Sequence, residues 1–326
     1  MYLVTGGAGF IGSNLTAALV ERGERVVVAD RLGQDDKWLN IAKLLLDDIV
    51  SPEALPDWLA QAPDLKGVIH LGAISATTER DMDLLVRNNL QLSQAVWRCC
   101  AERRLPLIYA SSAATYGDGE AGFDDDSSPQ ALARLRPLNG YGWSKHLFDR
   151  WALREVAEGR PRPPQWVGLK FFNVYGPNEY HKGGMRSVAH RVFHQAQAGG
   201  PATLFASHRP DYADGEQLRD FVYVEDCVSV MLWLLETGRA SGLFNLGTGE
   251  AQSFNRLARA VFAALNQVAK IDYVPTPESL RPRYQYFTQA KMDRLRAAGY
   301  DRPFLSVEDG VARYVHDHLL NQDPYR

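Results

Sequence analysis

The stretch Thr5-Gly6-Gly7-Ala8-Gly9-Phe10-Ile11-Gly12 follows an apolar run at Tyr2–Thr5 and leads directly into a helical pattern. Glycines at this spacing permit a tight turn and let the backbone approach a pyrophosphate, and the N-terminus of the following helix offers unpaired N–H groups to the anion. An acidic residue, Asp30, ends the next apolar run about 20 residues further on, where it can bind an adenine ribose. The stretch therefore predicts a dinucleotide-binding turn whose cofactor-binding glycines are Gly6, Gly9 and Gly12.

Short apolar runs alternate with amphipathic stretches through the first half of the chain. The predicted strands are Tyr2–Thr5, Arg25–Ala29, Gly67–Leu71, Leu107–Ser111 and Val167–Phe172, and the predicted helices are Ser13–Arg22, Asn88–Arg104 and Tyr141–Glu158. Strands separated by helices indicate a parallel sheet, and strands that are apolar throughout indicate helices on both faces. The predicted fold is α/β: a doubly wound parallel sheet of the Rossmann type, with a smaller C-terminal mixed α/β substrate domain.

The regular alternation ends near residue 173, so we predict a dinucleotide-binding domain over 1–172 and a substrate domain over 173–326. Asp220–Glu225 and Leu243–Gly249 have the composition of strands, which suggests that 220–250 returns to the first domain and that the second is discontinuous. The long polar segment Ser207–Leu218 is predicted to be a mobile surface loop.

The composition favours a small-molecule partner. The 326 residues carry 36 Lys and Arg against 39 Asp and Glu, a net charge of −3, which leaves no basic footprint for nucleic acid or an anionic membrane. No apolar run is long enough to cross a membrane, and the opening strand leaves no room for a cleaved leader. Three cysteines, two of them adjacent at Cys99 and Cys100, give no disulfide framework. We therefore expect a cytoplasmic protein.

A catalytic set is predicted at the end of the fourth strand. Ser112 lies there, at the carboxyl edge of the sheet where ligands bind in open α/β folds. Tyr141 and Lys145, spaced four residues apart, share one face of a predicted helix. A tyrosine becomes a useful base near pH 7 only if its pKa falls by about 3 units, and a neighbouring ammonium with a cationic nicotinamide favours that fall. The alternative is a buried aromatic residue beside a surface charge.

The charges near Asp30 bear on the cofactor. An aspartate alone accepts hydrogen bonds from the ribose and favours NAD. Arg31 and Lys37 add cations where the 2′-phosphate of NADP would lie, and a guanidinium matches phosphate oxygens. We predict NADP, and NAD stays open because both cations could equally be solvated surface charges.

The chain resembles the extended short-chain dehydrogenase/reductase superfamily and, within it, the family of ADP-L-glycero-D-manno-heptose 6-epimerases. The superfamily resemblance rests on Thr5–Gly12, Asp30, Ser112, Tyr141 and Lys145. The closer resemblance rests on Tyr109–Gly117, Phe172–Pro177, His181-Lys182-Gly183, Arg219–Val224, Phe244–Gly249, Tyr284-Gln285 and Arg296–Asp301.

This resemblance implies that bound NADP oxidises the C6 hydroxyl of the heptose to a ketone and that hydride returns to the opposite face. Tyr141 and Lys182 match the two acid/base residues, and a homo-oligomer, a pentamer, is implied. The cofactor would contact Phe10, Ile11, Asp30, Arg31, Lys37, Leu71, Gly72, Ala73, Ile74, Ser75, Asn88, Lys145 and Val174. The nucleotide sugar would contact Ser112, Asn173, Gly184, Arg191, Phe205, Ala206, Ser207, His208, Arg219 and Tyr284.

The chain departs from the family pattern mainly in its substrate half. Gly184 replaces a serine, Arg191 replaces a histidine, and Ser207–Leu218 is longer than the corresponding loop. Toward the cofactor, Leu71 replaces an acidic residue, and a lysine of the adenine side has no counterpart around Ser51.

Two further groups are predicted to bind no metal. His190 and His194 have a helical zinc-ligand spacing but lack a third ligand, so we predict an exposed helix face, and Asp124-Asp125-Asp126 is predicted to be solvated.

The alternative functions are another sugar-nucleotide epimerase or a dehydratase of the same superfamily, and a non-catalytic NADP-sensing protein. A sugar-nucleotide 4,6-dehydratase needs a carboxylic acid beside the strand-end hydroxyl, whereas Ala113 and Ala114 follow Ser112. A non-catalytic NADP-sensing protein would have no need for the serine, the tyrosine and the lysine together. A structural alternative also exists for Arg219, which could form an ion pair with Asp220 or Glu225.

Overall fold

The computed structural model describes residues 1–61, 64–281 and 284–326. Its centre is a parallel seven-stranded sheet made of β1 (Tyr2–Thr5), β2 (Val26–Ala29), β3 (Asp48–Val50), β4 (Gly67–His70), β5 (Leu107–Ser112), β6 (Trp166–Phe171) and β10 (Gly242–Leu246). The strand order is β10-β6-β5-β4-β1-β2-β3. The order reverses between β1 and β4, which places the switch point of the sheet beside the glycine turn.

Helices cover both faces of this sheet and pack around the smaller ones. They are α1 (Phe10–Glu21), α2 (Leu55–Gln61), α3 (Met82–Leu85), α4 (Leu92–Glu102), α5 (Pro129–Arg134), α6 (Gly140–Ala157), α7 (Val188–Gln197), α8 (Val224–Thr237), α9 (Phe254–Ala264), α10 (Asp293–Ala297) and α11 (Val307–Tyr314). A π-helical segment, Val86–Gln91, joins α3 to α4, and a second one, Val315–Leu319, extends α11. None of the helices in the described ranges is both long enough and apolar enough to cross a membrane.

The predicted fold class is confirmed. All four residues of β2 are buried, as are all six of β6, because helices cover both faces of those strands. In register, Leu3 lies between Val27 and Val68. The short edge strand β3 was not predicted, because Asp48 and Ile49 are exposed and give no apolar run.

Two smaller sheets lie beyond the carboxyl edge of the main sheet. One joins β7 (Asn173–Tyr175), β9 (Leu218–Tyr223) and β11 (Ala251–Ser253), and the other joins β8 (Ala202–Phe205) to β12 (Ile271–Val274). α7, α9 and α11 bury a second apolar core around them, whereas the buried side chains of α8 and β10 mostly belong to the core of the main sheet. The proposed domain boundaries stay a prediction.

Local interactions correct two expectations about polar residues. Asp125 is not solvated: it is 2% exposed and accepts a hydrogen bond from the backbone N–H of Asn245 at 2.9 Å. His190 is also buried, and its Nε2 lies 3.2 Å from Nε2 of His194, which is the exposed member of the pair. In both places tertiary packing covers a side chain whose local sequence is typical of a surface.

The segment Ser207–Leu218 is tied to the rest of the chain. The hydroxyl of Tyr286 accepts a hydrogen bond from the N–H of His208 at 2.8 Å, and within the segment Asp214 accepts one from the backbone N–H of Ser207 at 2.7 Å. The segment is thus folded on itself and contacts Tyr286.

Candidate active site

A cavity of about 520 Å³ opens at the carboxyl edge of the main sheet, beside the glycine turn. Its wall includes Asp30 and Lys37 after β2 and residues that follow β7, among them Lys182 and Val188. The predicted site residues that line it are Gly6, Gly9, Phe10, Ile11, Gly12, Asp30, Lys37, Leu71, Gly72, Ala73, Ser75, Ser112, Tyr141, Lys145, Asn173, Val174 and Lys182.

The glycine turn has no room for larger residues. A Cβ at Gly12 would lie 2.0 Å from the carbonyl oxygen of Gly6, and Gly6 itself has φ +67° with Gly72 N only 2.7 Å from a built Cβ. Within the described residues, no side chain caps α1, and its first turn carries no acidic residue. The free N–H groups and the positive end of the helix dipole therefore face the cavity, an arrangement that fits a dinucleotide pyrophosphate.

The part of the cavity wall that follows β2 is polar and charged, because it contains Asp30 and Lys37. One oxygen of Asp30 accepts a hydrogen bond from Ala8 N at 2.9 Å, and the other accepts one from Lys37 Nζ at 2.7 Å. These contacts hold the carboxylate at the end of β2, where the adenine ribose of a dinucleotide lies in folds of this kind. Arg31 lies outside the cavity wall, and its Nε donates to Glu53 Oε1 at 2.8 Å.

Ser112, Tyr141 and Lys145 line the same cavity. Ser112 ends β5, and its Oγ accepts a hydrogen bond from Ala114 N at 3.1 Å, which leaves the hydroxyl proton free to be donated. The Tyr141 phenol hydrogen-bonds to the Ser112 hydroxyl. Tyr141 lies in the first turn of α6, which Asn139 caps through Gly142 N at 2.8 Å, so the positive end of the helix dipole favours a phenolate there.

The titration of these groups differs from the expectation. Burial raises the pKa of Tyr141, the hydrogen bond with Ser112 opposes that rise, and the charge of Asp149 adds to it. The lowered tyrosine pKa expected from the sequence is therefore not produced by the protein groups alone. Burial also lowers the pKa of Lys145 from 10.5 to about 8, against the opposing charge of Asp149. Desolvation is thus the main cause of the raised pKa of Tyr141 and of the lowered pKa of Lys145, and a sequence motif does not show how deeply a side chain is buried.

Lys182 reaches the same cavity from the short helical segment Tyr180–Met185. Its Nζ lies 5.3 Å from the centroid of the Phe10 ring, a cation–π distance. Burial lowers the pKa of Lys182, and the buried carboxylate of Glu179 opposes that change. The preceding residue, His181, is fixed by a 3.1 Å contact between its Nδ1 and Asn40 Nδ2. The second acid/base candidate is thus held against the start of α1.

A buried hydrogen-bond network supports the loop and the helix behind these groups. Asn89 accepts from Ile74 N at 2.8 Å, and its amide donates to Ile74 O at 2.9 Å and to Ser144 Oγ at 3.0 Å. Ser144 in turn donates to Tyr141 O at 2.7 Å. The predicted neighbour, Asn88, lies outside the cavity wall and donates to Leu84 O instead.

A second network, which the sequence did not predict, lies beneath Ser112. Lys170 Nζ and Asp149 Oδ2 are 2.9 Å apart, and both side chains are almost completely buried. Lys170 also donates to Thr115 Oγ1 at 2.7 Å, and Thr115 donates to Ser112 O at 2.8 Å. Ser111 Oγ donates to Asp149 at 2.6 Å, so the ion pair fixes the backbone on both sides of Ser112.

The remaining predicted substrate residues lie apart from the cavity wall, and several of them form an aromatic cluster. The guanidinium of Arg219 stacks 5.4 Å from the ring of Tyr284 and 5.6 Å from that of Phe254, and Phe254 lines the cavity. Arg219 donates to the carbonyls of Leu218 and Gln285. Within the described ranges it forms no ion pair with Asp220 or Glu225, so that structural alternative is wrong.

The rings of Phe205 and His208 each lie 6.1 Å from that of Tyr284, so both belong to the same cluster. The other predicted residues outside the cavity wall are Arg31, Ile74, Asn88, Gly184, Arg191, Ala206 and Ser207. The wall instead includes two polar residues that the sequence did not single out, Arg186 and Ser187. Their position directly after the His181-Lys182-Gly183 match was the available signal.

The parallel sheet, the glycine turn and the cavity at the switch point define a dinucleotide-dependent protein of the extended short-chain dehydrogenase/reductase type. The sequence profile of the NAD dependent epimerase/dehydratase family matches residues 2–247. The chain belongs to that family.

Curated relatives resemble the chain over its whole length. It is 49% identical over 329 residues to a protein of Nitratidesulfovibrio vulgaris named ADP-L-glycero-D-manno-heptose-6-epimerase, with 100% of each chain covered. A Fusobacterium nucleatum protein of the same name is 46% identical over 337 residues, again with 100% of each chain covered.

Solved structures share the architecture. The Helicobacter pylori ADP-L-glycero-D-manno-heptose-6-epimerase superposes with a TM-score of 0.79 at 27% identity, covering 96% of this chain and 94% of that chain. A Thermus thermophilus UDP-glucose 4-epimerase in complex with NAD gives a TM-score of 0.71 at 25% identity, covering 96% of this chain and 97% of that chain.

Proposed function

We propose that this chain is an ADP-L-glycero-D-manno-heptose 6-epimerase, an isomerase that inverts the C6 carbon of a nucleotide-linked heptose. One observation carries the chemistry: Ser112, Tyr141, Lys145 and Lys182 face a single cavity that also contains the glycine turn. The bound dinucleotide supplies the hydride acceptor for oxidation of the C6 hydroxyl to a ketone and the hydride donor for its reduction. The protein has to bind the sugar and to transfer the proton of the C6 hydroxyl.

The catalytic roles follow from the geometry of the side chains. Ser112 donates its hydroxyl proton to the substrate oxygen, because its own Oγ already accepts from Ala114 N. Tyr141 takes the hydroxyl proton as C6 is oxidised, Lys182 gives a proton to the ketone oxygen as C6 is reduced from the opposite face, and in the reverse reaction the two residues exchange these roles. Lys145, one helical turn away on the same face, favours the phenolate by its charge. Lys182 acts as the second acid/base residue, and its lowered pKa suits proton exchange nearer neutral pH.

The choice of substrate is supported by the relatives named above, which are 46–49% identical over the full chain. Inside the protein, the buried Arg219 offers a planar cation for a diphosphate, and the rings of Tyr284 and Phe205 offer stacking surfaces for a base. We propose that the nucleotide sugar contacts these residues together with Ser112, Asn173, Gly184, Arg191, Ala206, Ser207 and His208.

We propose NADP as the cofactor, with NAD as the alternative. Two cations lie next to Asp30: Lys37, which contacts its carboxylate at 2.7 Å, and Arg31, the next residue in the chain. Both lie where a 2′-phosphate on the adenine ribose would need compensating charge. We also propose a cytoplasmic homo-oligomer, and the free state of Cys99, Cys100 and Cys227 supports a reducing location.

A panel of nucleotide sugars tests the proposal. Pure protein is incubated with ADP-, GDP- and UDP-linked sugars, and the configuration of each product is followed by NMR while NADPH absorbance is recorded. We expect inversion of ADP-heptose at C6 without net formation of NADPH. Turnover of a UDP-hexose but not of ADP-heptose would contradict the named substrate, loss of water would indicate a dehydratase, and binding without any turnover would indicate the cofactor-sensing alternative.

A further inference from the structure

The two cations at the adenosine end of the cavity are already paired with carboxylates. Arg31 donates from Nε to Glu53 Oε1 at 2.8 Å and from Nη2 to the same oxygen, while its Nη1 donates to Asn88 Oδ1 at 3.2 Å. Lys37 Nζ donates to Asp30 Oδ1 at 2.7 Å. Every nitrogen of the guanidinium therefore has a partner, and the formal charges of the four ionised groups sum to zero.

The ion pair between Arg31 and Glu53 should affect the binding of NADP more than the binding of NAD. NADP carries a phosphate on the adenine ribose where NAD carries a hydroxyl, and such a phosphate bears about 1.5 to 2 negative charges at neutral pH. To bind that phosphate bidentately, the guanidinium of Arg31 must release Glu53. The ribose hydroxyl of NAD needs only a hydrogen bond to the carboxylate of Asp30. That carboxylate is held in place by a hydrogen bond of 2.9 Å from Ala8 N to Asp30 Oδ2.

Glu53 is ionised when it makes this contact. The hydrogen bond from Arg31 lowers the pKa of the Glu53 carboxyl below its ordinary value. A released but nearby carboxylate would also repel a 2′-phosphate, whereas it exerts no comparable force on a hydroxyl. Having to break the contact between Arg31 and Glu53 therefore weakens the binding of NADP and leaves the binding of NAD unchanged.

We propose that Glu53 is a specificity-determining residue that competes with the 2′-phosphate for Arg31 and so narrows the preference for NADP over NAD. The inference rests on the proposed dinucleotide function. Glu53 does not line the cavity and acts through Arg31. The two side chains are 49% and 60% exposed, so the pair is weak and displaceable, and its effect on a binding equilibrium is roughly two- to fivefold.

Fluorescence titration of the full-length protein with NADPH and NADH measures this effect without turnover. In Glu53→Gln we expect the Kd of NADPH to fall about two- to fivefold while the Kd of NADH stays within its error. The exposed position of Glu53 makes a folding defect from this isosteric change implausible. Raising the salt concentration should shrink the difference, since exposed charges are screened.

Two variants make the test specific. Glu24→Gln removes an equal charge from the exposed Lys66–Glu24 pair, which lies at the amino end of the sheet, and it should leave the NADPH-to-NADH ratio of Kd values unchanged. In an Arg31→Gln background, adding Glu53→Gln should change that ratio less than it does in the wild type, because the guanidinium for which Glu53 competes is absent.

Three results would overturn the proposal: an equal change for both cofactors in Glu53→Gln, the same shift in Glu24→Gln, or an undiminished shift without Arg31. If the wild-type protein binds neither dinucleotide, the proposed function fails and this inference fails with it. An unchanged ratio in a protein that binds both cofactors overturns the role of Glu53 alone.

Discussion

Replacing Lys145 with methionine should stabilise the protein while abolishing its chemistry. The lysine is 4% exposed, and burial lowers its pKa from 10.5 to about 8. At about 1.4 kcal/mol for each pKa unit, this change costs about 3 kcal/mol of folding free energy at neutral pH. Methionine has a similar length and carries no charge, so Lys145→Met removes that cost.

The pH dependence has a definite sign. Below about pH 8 the lysine is protonated in both the folded and the unfolded chain, so the whole penalty is present. As the pH rises from about 8 toward 10.5, the folded state loses its proton first, and the penalty disappears. At pH 10 the advantage of Lys145→Met over the wild type should have fallen below about 1 kcal/mol.

Urea unfolding of cofactor-stripped protein at pH 7 and pH 10 measures this difference. Stripping the cofactor keeps weaker binding by the variant out of the comparison. The exposed Lys270 provides the control, since Lys270→Met should change stability at neither pH. A Lys145→Met variant that is less stable than the wild type at pH 7, or whose advantage does not depend on pH, would show that the buried ammonium does not destabilise the fold.

Three other changes give distinct outcomes. Tyr141→Phe should retain cofactor and lose turnover by about 10²- to 10⁴-fold, because only the proton acceptor is removed; unchanged turnover by NMR assay would exclude the assigned base. Gly12→Ala should weaken NADPH binding by more than about tenfold in a fluorescence titration, since its Cβ would lie 2.0 Å from Gly6 O and displace the pyrophosphate turn; wild-type affinity would contradict that. Lys170→Met should lower the free energy of unfolding by about 3–5 kcal/mol in the same urea assay, because it leaves the Asp149 carboxylate buried without its cation. Adding Asp149→Asn should restore part of the lost stability, because it removes the uncompensated charge.

The parts of the site that depend on local spacing were predictable. The glycine turn lies within one strand–helix connection, and Tyr141 and Lys145 lie one helical turn apart, so short motifs suffice to identify them. The five predicted strands correspond to β1, β2, β4, β5 and β6 with shifts of at most one residue at their ends, because each is built around a mainly apolar run.

The parts that depend on distant contacts were not predictable. Lys170 and Asp149 have side chains typical of a surface, and only the packing of α6 on the main sheet makes them a buried pair. The support that Asn89 gives to the loop at Ile74 was not predicted for a similar reason, since the packing around the segment Val86–Gln91 decides which side chain points toward that loop; the cofactor contact of Asn88 stays a prediction. Desolvation, which sets the pKa of Tyr141, is likewise a property of the assembled site.

The most direct test of the account follows the hydrogen at C6 of the sugar. The protein is incubated with ADP-heptose in D₂O, and deuterium at C6 of the product is measured by NMR. If the C6 hydrogen leaves as hydride and returns from the bound cofactor, the epimerised product contains no deuterium at C6. Incorporation of solvent deuterium at C6 during epimerisation would show removal of a proton from carbon, and the proposed use of Ser112, Tyr141 and Lys145 would be wrong.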